Sequence, residues 1–201
     1  VITTPKEAYD YLRSLINSAP IYASLINPND SWWAEQDTKY KKAIHYLNGI
    51  RLFNIRQPLT VLLSAFNQFN PDEFVSLTRY LYILSIRYNV ICHLSPSEQE
   101  SMYNQIAIKI SNKEYKRASN VKNGEEFKRL YPDDNVFFNA FEFHRMPSRQ
   151  TAKKIRFLLA EIEQYLGNNC DHEKVTLEHI CPFNPEKGWC NSFGEGVNDV
   201  K

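Results

Sequence analysis

The sequence predicts an all-α fold: a multi-helix bundle of about eight or nine helices, followed by a short C-terminal segment of different character. Three observations lead there. Apolar residues recur at i, i+3 and i+4 over most of the chain, the spacing of one helical face. Capping residues followed by proline open segment after segment, as in Thr4-Pro5, Asn70-Pro71 and Ser95-Pro96. The run with the clearest strand preference comes late, from Glu173 to His179. Hydrophobic residues make up 43% of the 201, enough for a sizeable core.

Taken in order, the first helix starts at a capping box, with Thr4 and Glu7 reciprocally bonded and Pro5 at the first helical position. Ala8, Tyr11, Leu12, Leu15 and Ile16 form a stripe that is expected to be buried. Ser18 and Pro20 are expected to restart a short helix over Ile21 to Ile26. Asn27 to Ser31 reads as a loop, and Trp32-Trp33 as its anchor on the core, with a base-stacking platform as the alternative. A helix from Glu35 to Asn48 places Tyr40, Ala43, Ile44 and Leu47 inward, and leaves His45 a structural role.

Leu59 to Phe69 is apolar almost all round and should be central. Asn70-Pro71-Asp72-Glu73 starts the next helix, with Phe74, Leu77, Leu81 and Leu84 inward and an extension to Val90. Arg87 lies in its apolar second half, so it needs a carboxylate or carbonyl partner and should tie two helices together. Ser95-Pro96-Ser97-Glu98 opens a helix with Met102, Ile106 and Ile110 on one side. A short aromatic helix over Val136 to Phe143 should bury its four phenylalanines. The last long helix carries Ile155, Leu158, Leu159, Ile162 and Leu166 and stops at Gly167. The organisation is therefore a helical domain over 1–167 and the start of a second domain over 168–201.

Charge is balanced overall at +1, which excludes a uniformly basic coat protein and leaves room for a local basic face. Two such faces stand out. From Lys109 to Arg129, seven cations (Lys109, Lys113, Lys116, Arg117, Lys122, Lys128, Arg129) meet three carboxylates. Arg149, Lys153, Lys154 and Arg156 crowd the N-terminal half of the last helix, where positive charge opposes the helix dipole. Each reads either as a solvated face or as a phosphate-tracking surface; the candidate contacts are Lys109, Lys113, Lys116, Arg117, Lys153, Lys154 and Arg156. No Gly-rich phosphate loop is present. Four sparse cysteines predict reduced thiols and a cytoplasmic location. No apolar run approaches the ~18 residues of a membrane span, so no membrane partner is expected.

The chemistry-bearing stretch is Val175-Thr176-Leu177-Glu178-His179-Ile180-Cys181-Pro182. A carboxylate beside an imidazole places a hard-cation ligand next to a general base, the pair that metal-dependent phosphodiester hydrolysis uses. Neighbouring side chains of a strand point to opposite faces, so the pair shares one site only where the strand ends and turns, as Pro182 suggests.

This stretch resembles the first motif of HNH nucleases. Taken with Arg87-Tyr88-Asn89-Val90, the Phe137-Phe138 helix, Ile155 to Glu163 and Trp189, it is similar to the C-terminal half of GmrSD-type modification-dependent restriction endonucleases. Those bacterial phage-defence proteins join a ParB-like nucleotide-hydrolysing domain, a helical middle region and an HNH domain of ββα-metal architecture. The resemblance implies that His179 is the general base and Glu178 a ligand of a divalent ion, magnesium or manganese. It implies DNA and the remaining domains of a longer parent as partners; a homodimeric parent is compatible with it. The family's following Gly-Asn motif, Asn-bearing helix and Lys have no counterpart before Lys201, so the ββα unit is expected to be an incomplete stub, without a bound ion and inactive in isolation. Residues from about Asp171 on are then expected to be irregular or docked, because a lone strand lacks its hairpin partner.

Two further readings stay open. One is a non-catalytic helical module that binds DNA or positions domains. The other is a zinc site from Cys170, His172, His179, Cys181 and Cys190, whose spacings do not form paired knuckles.

Overall fold

The structure, a computed structural model, describes residues 3–146 and 151–177. It is all-α among these residues, and the chain divides into two compact units, Val1–Arg145 and Met146–Lys201. No helix among the described residues is long and apolar enough to cross a membrane.

The first unit begins with α1 (Pro5–Ile26). Thr4 Oγ1 accepts from the Glu7 amide at 3.2 Å, and the Glu7 carboxylate accepts from the amides of Thr3 and Thr4 at 2.8 and 3.0 Å. These bonds hold the Glu7 carboxyl below its usual range. The helix does not restart at Ser18 but runs through Pro20. Proline removes one bond to the Ile16 carbonyl, and Ile16 is exposed, so water can serve that oxygen. The expected burial of the α1 stripe also fails: Tyr11, Leu12, Leu15 and Ile16 are all exposed, and only Ser24 and Leu25 are buried. Length explains this. At 22 residues α1 far outreaches its partners α2 (Lys41–Leu52) and α3 (Leu59–Gln68), with 12 and 10, and buries only its C-terminal turns.

Trp33 anchors the following loop, as the sequence suggests. It is 4% exposed, and its indole N–H donates to the Ser24 carbonyl at 3.0 Å. Its ring joins Trp32, Tyr40, Phe66 and Phe74 in one aromatic cluster with centroid spacings of 5.1–6.1 Å. Asp37 caps a 3₁₀ turn, Thr38–Tyr40, by accepting from the Lys39 amide, so α2 begins at Lys41 rather than Glu35. His45 lies half-buried on α2 with its ring edge-on to Tyr46.

The centre is α3, α4 (Pro71–Ser85) and α5 (Pro96–Ser111), with α3 packed on α5 and α2 on α4. Asn70 caps α4 by accepting from the Glu73 amide at 3.0 Å, and Phe74, Leu77, Leu81 and Leu84 are sealed from solvent. Beyond Ser85 the helix continues to Ile91 as a π-helical turn. The wider turn buries Tyr88, Val90 and Ile91 and presents Asn89 to Gln99 of α5. The two amides bond reciprocally at 2.9 and 3.0 Å, which satisfies a Gln99 side chain that is wholly buried.

Three short helices close the unit: α6 (Ala118–Asn123), α7 (Glu125–Leu130) and α8 (Asp134–Glu142). The expected burial of the α8 phenylalanines is not found. Phe138, Phe141 and Phe143 are exposed, and α8 has no buried residue. Nine residues that touch chiefly the π turn have only one face to cover, and Phe137 occupies it.

In the second unit α9 (Ala152–Tyr165) buries Phe157 and Ala160 and leaves Leu159, Ile162 and Leu166 exposed, so its expected stripe is only partly covered. Gly167 ends it at φ 90° in a Schellman motif: Gly167 N–H donates to Gln164 O at 3.1 Å, and Asn168 N–H to Glu163 O at 2.9 Å. A turn follows, with the Asp171 carboxylate accepting from the Glu173 amide, and 175–177 are irregular rather than a strand. Glu178 to Pro182, Trp189 and Cys190 lie outside the described residues, as do Pro147, Ser148 and Arg149.

Candidate nucleic-acid interface

Glu178 and His179 lie outside the described residues, so the described chemistry is that of the basic surfaces. Arg87 shows how the first unit shapes its surface. Its Nη2 donates to the Pro132 carbonyl at 3.0 Å and to Asp134 Oδ1 at 2.7 Å, and its guanidinium lies over the rings of Tyr131 and Phe137 at 4.7 and 4.1 Å. The sequence-predicted tie between helices is therefore present, from the π turn to the start of α8. Phe127 and Phe141 extend the stack at either end, each within 6.1 Å of its neighbour's centroid.

Lys109 faces inward. It pairs with Glu126, a carboxylate that is 6% exposed, and lies near the Tyr115 hydroxyl. Burial pushes the Glu126 carboxyl up, but hydrogen bonds from Lys109, its own backbone and Tyr115 prevail and leave it below the usual range. The stabilising contribution of Glu126 is present above the unfolded carboxylate range and is lost as pH falls through the lowered value. Gly124 makes room for the network. A Cβ there would sit 2.3 Å from the Tyr115 hydroxyl oxygen and break its 2.8 Å bond to Glu126. Gly124→Ala is expected to cost about 1–3 kcal/mol by urea unfolding, and distinctly less on a Tyr115→Phe background. Fully additive costs would contradict this packing.

Lys113, Lys116 and Arg117 face outward, all exposed on the connector between α5 and α6. Asn120 Oδ1 accepts from the backbone amides of Lys116 and Arg117 at 3.2 and 3.1 Å, which orders the connector while leaving both cationic heads in water. Lys113 takes a left-handed conformation, φ 62°, which turns the chain there. Lys113 and Lys116 flank a hollow of about 310 Å³ whose other walls include Phe69, Ile110 and Tyr115.

From Arg117 the chain runs along α4. The Ala118 amide donates to Glu73 at 2.7 Å, and further along, Lys122 lies over the Tyr80 ring at 5.1 Å. This packing creates a cleft of about 400 Å³ that the sequence does not announce. Arg79, Lys122 and Lys128 stand on its walls with Tyr80, Phe127 and Tyr131, and among the described residues no carboxylate lines it. Packing of α4 on α6 brings Arg79 to the other cations.

In the second unit Lys153 is 4.0 Å from Glu173, and Arg156 Nη1 donates to the Val175 carbonyl at 3.3 Å. Lys154 is half-buried and engaged within the fold. Of the zinc alternative, Cys170 is a half-buried free thiol and His172 packs edge-on against Phe157 at 5.1 Å, while His179, Cys181 and Cys190 lie outside the described residues. Among the described residues no group of three His, Cys, Asp or Glu is placed to hold a metal ion. No family model, no curated protein and no solved structure matches this chain.

Proposed function

We propose that this chain is the DNA-contacting helical part of a bacterial restriction endonuclease of the GmrSD-like type, joined to the first motif of its HNH nuclease domain. The observation that carries the contact role is the ordered connector with Lys113, Lys116 and Arg117 exposed and, among the described residues, in no ion pair, with Glu114 the one acidic residue among them; the cleft further along α4 adds three more cations. Three exposed cations on one ordered connector, in a protein of formal charge +1, favour phosphate over general solvation.

The catalytic part rests on the sequence Glu178-His179. His179 takes the proton of the attacking water in this reading, and Glu178 offers one carboxylate to a divalent ion. Such an ion supplies charge stabilisation at the phosphoryl oxygens. One carboxylate does not make a metal site, so this reading requires further ligands besides Glu178. The second reading, a non-catalytic DNA-binding or domain-positioning module, draws on the same connector, because that surface does not need Glu178 or His179.

The test of the contact role is the triple variant Lys113→Gln, Lys116→Gln, Arg117→Gln, assayed by anisotropy of a labelled duplex. Their head groups are exposed and make no hydrogen bond or ion pair among the described residues, so stability should stay within about 0.5 kcal/mol. DNA affinity should fall at least ~10-fold at moderate salt. Unchanged affinity would remove this surface from the interface.

A further inference from the structure

We infer that the cleft between α4 and α6–α7 is a subsite for one nucleotide unit: a planar base with its adjoining phosphate. The inference rests on the DNA-contacting reading and narrows it, because a paired duplex base offers its faces to its neighbours and not to a cleft. Three features support it. The volume of about 400 Å³ lies within the usual range of small-ligand sites and accommodates a single nucleotide. Among the described residues the lining combines Arg79, Lys122 and Lys128 with no carboxylate, which favours an entering anion. The aromatic wall is the other half of the recognition chemistry. Tyr131 stays 40% exposed, with Arg87 over its ring at 4.7 Å and Phe127 near-parallel beside it at 6.1 Å, so the part of the ring left open can meet a base. Asn123 adds an amide that can both donate to and accept from a base edge.

Two positional details assign roles. Lys122 is held over the Tyr80 ring at 5.1 Å, which fixes an ammonium at the cleft wall for a phosphate oxygen. Arg79 and Lys128 pair with no carboxylate among the described residues and can close on the same phosphate from other walls. A ligand that is only anionic would leave the aromatic wall unused, and one that is only apolar would leave three cations unpaired. A nucleotide meets both.

The nucleotide can be free or part of an unpaired strand, and the experiment separates these sources. Binding to the whole chain is measured for adenosine monophosphate and triphosphate, a five-nucleotide single-stranded DNA, inorganic triphosphate and a duplex. The variants are Arg79→Gln with Lys122→Gln, and Tyr131→Leu. The paired cation variant keeps the fold and should weaken nucleotide or oligomer binding about 10-fold. Tyr131→Leu should weaken it roughly 5- to 100-fold, and should leave inorganic triphosphate unaffected. Binding of the oligomer alone assigns the site to a strand, and binding of the mononucleotides alone assigns it to a soluble ligand; either supports the inference. No binding of any nucleotide probe, indifference to both variants, or equal affinity for inorganic triphosphate would overturn it. Duplex binding that still depends on Lys113, Lys116 and Arg117 would then leave the DNA-contacting reading standing. Nucleotide binding without any duplex affinity would sink that reading and keep the subsite.

Discussion

Replacing Arg87 by alanine is expected to lower the stability of the first unit by about 2–4 kcal/mol and to release α8 from it. The magnitude comes from comparing what the guanidinium does. Its ion pair with Asp134 contributes little, since that carboxylate is 75% exposed. The bond to the buried Pro132 carbonyl and the contacts with Tyr131 and Phe137 matter more, because the Arg87 side chain is only 14% exposed and alanine would leave the carbonyl without its donor. Lysine keeps the charge but cannot lie flat over two rings, so Arg87→Lys should recover less than half of the loss. Thermal unfolding should shift by ~2–4 °C per kcal/mol. Hydrogen exchange locates the effect: the amides of Val136 and Phe137, bonded to Asp133, should lose protection while those of α4 keep theirs. Unaltered exchange in α8 would show that something other than Arg87 holds it.

Replacing His179 by alanine in a protein that joins this chain to a complete nuclease domain should lower DNA cleavage by ~10²–10⁴. The proposal makes His179 the group that takes the proton of the attacking water, and alanine offers no substitute. Glu178→Gln should instead raise the concentration of divalent ion needed for half-maximal cleavage, because the amide keeps the shape and loses the charge. Both residues belong to the second unit, so the helical circular dichroism and melting temperature of the first should be unchanged. Unchanged cleavage in His179→Ala would end the nuclease reading of the motif and leave the basic surface as the function of the chain.

The sequence made some parts of this fold plain. Thr4 with Glu7 and Asn70 with Glu73 are local capping signals that span four residues of chain, and both form as expected. Gly167 ends α9 for the same local reason. Arg87 was legible because a cation in an apolar helical run must find a partner, although its partners are 45 and 47 residues away. The exposed stripes of α1 and α8 were not legible. Periodicity states that a helix has an apolar face; it does not state whether a partner of equal length stands opposite. The cleft was hidden for a related reason. Arg79, Lys122 and Lys128 belong to two stretches of chain, and only the packing of α6 along α4 makes them neighbours. Lys109 illustrates the converse: composition groups it with the surface cations, while the fold pairs it with Glu126.

The central claim is that Lys113, Lys116 and Arg117 meet DNA phosphates. Its most direct test is the slope of log affinity against log salt for duplex DNA, measured on the chain and on the Lys113→Gln, Lys116→Gln, Arg117→Gln variant. Each phosphate contact contributes about 0.9 to that slope. The account predicts a steep negative slope for the unaltered chain, shallower by roughly 2–3 in the variant. Equal slopes, or affinity indifferent to salt, would contradict it.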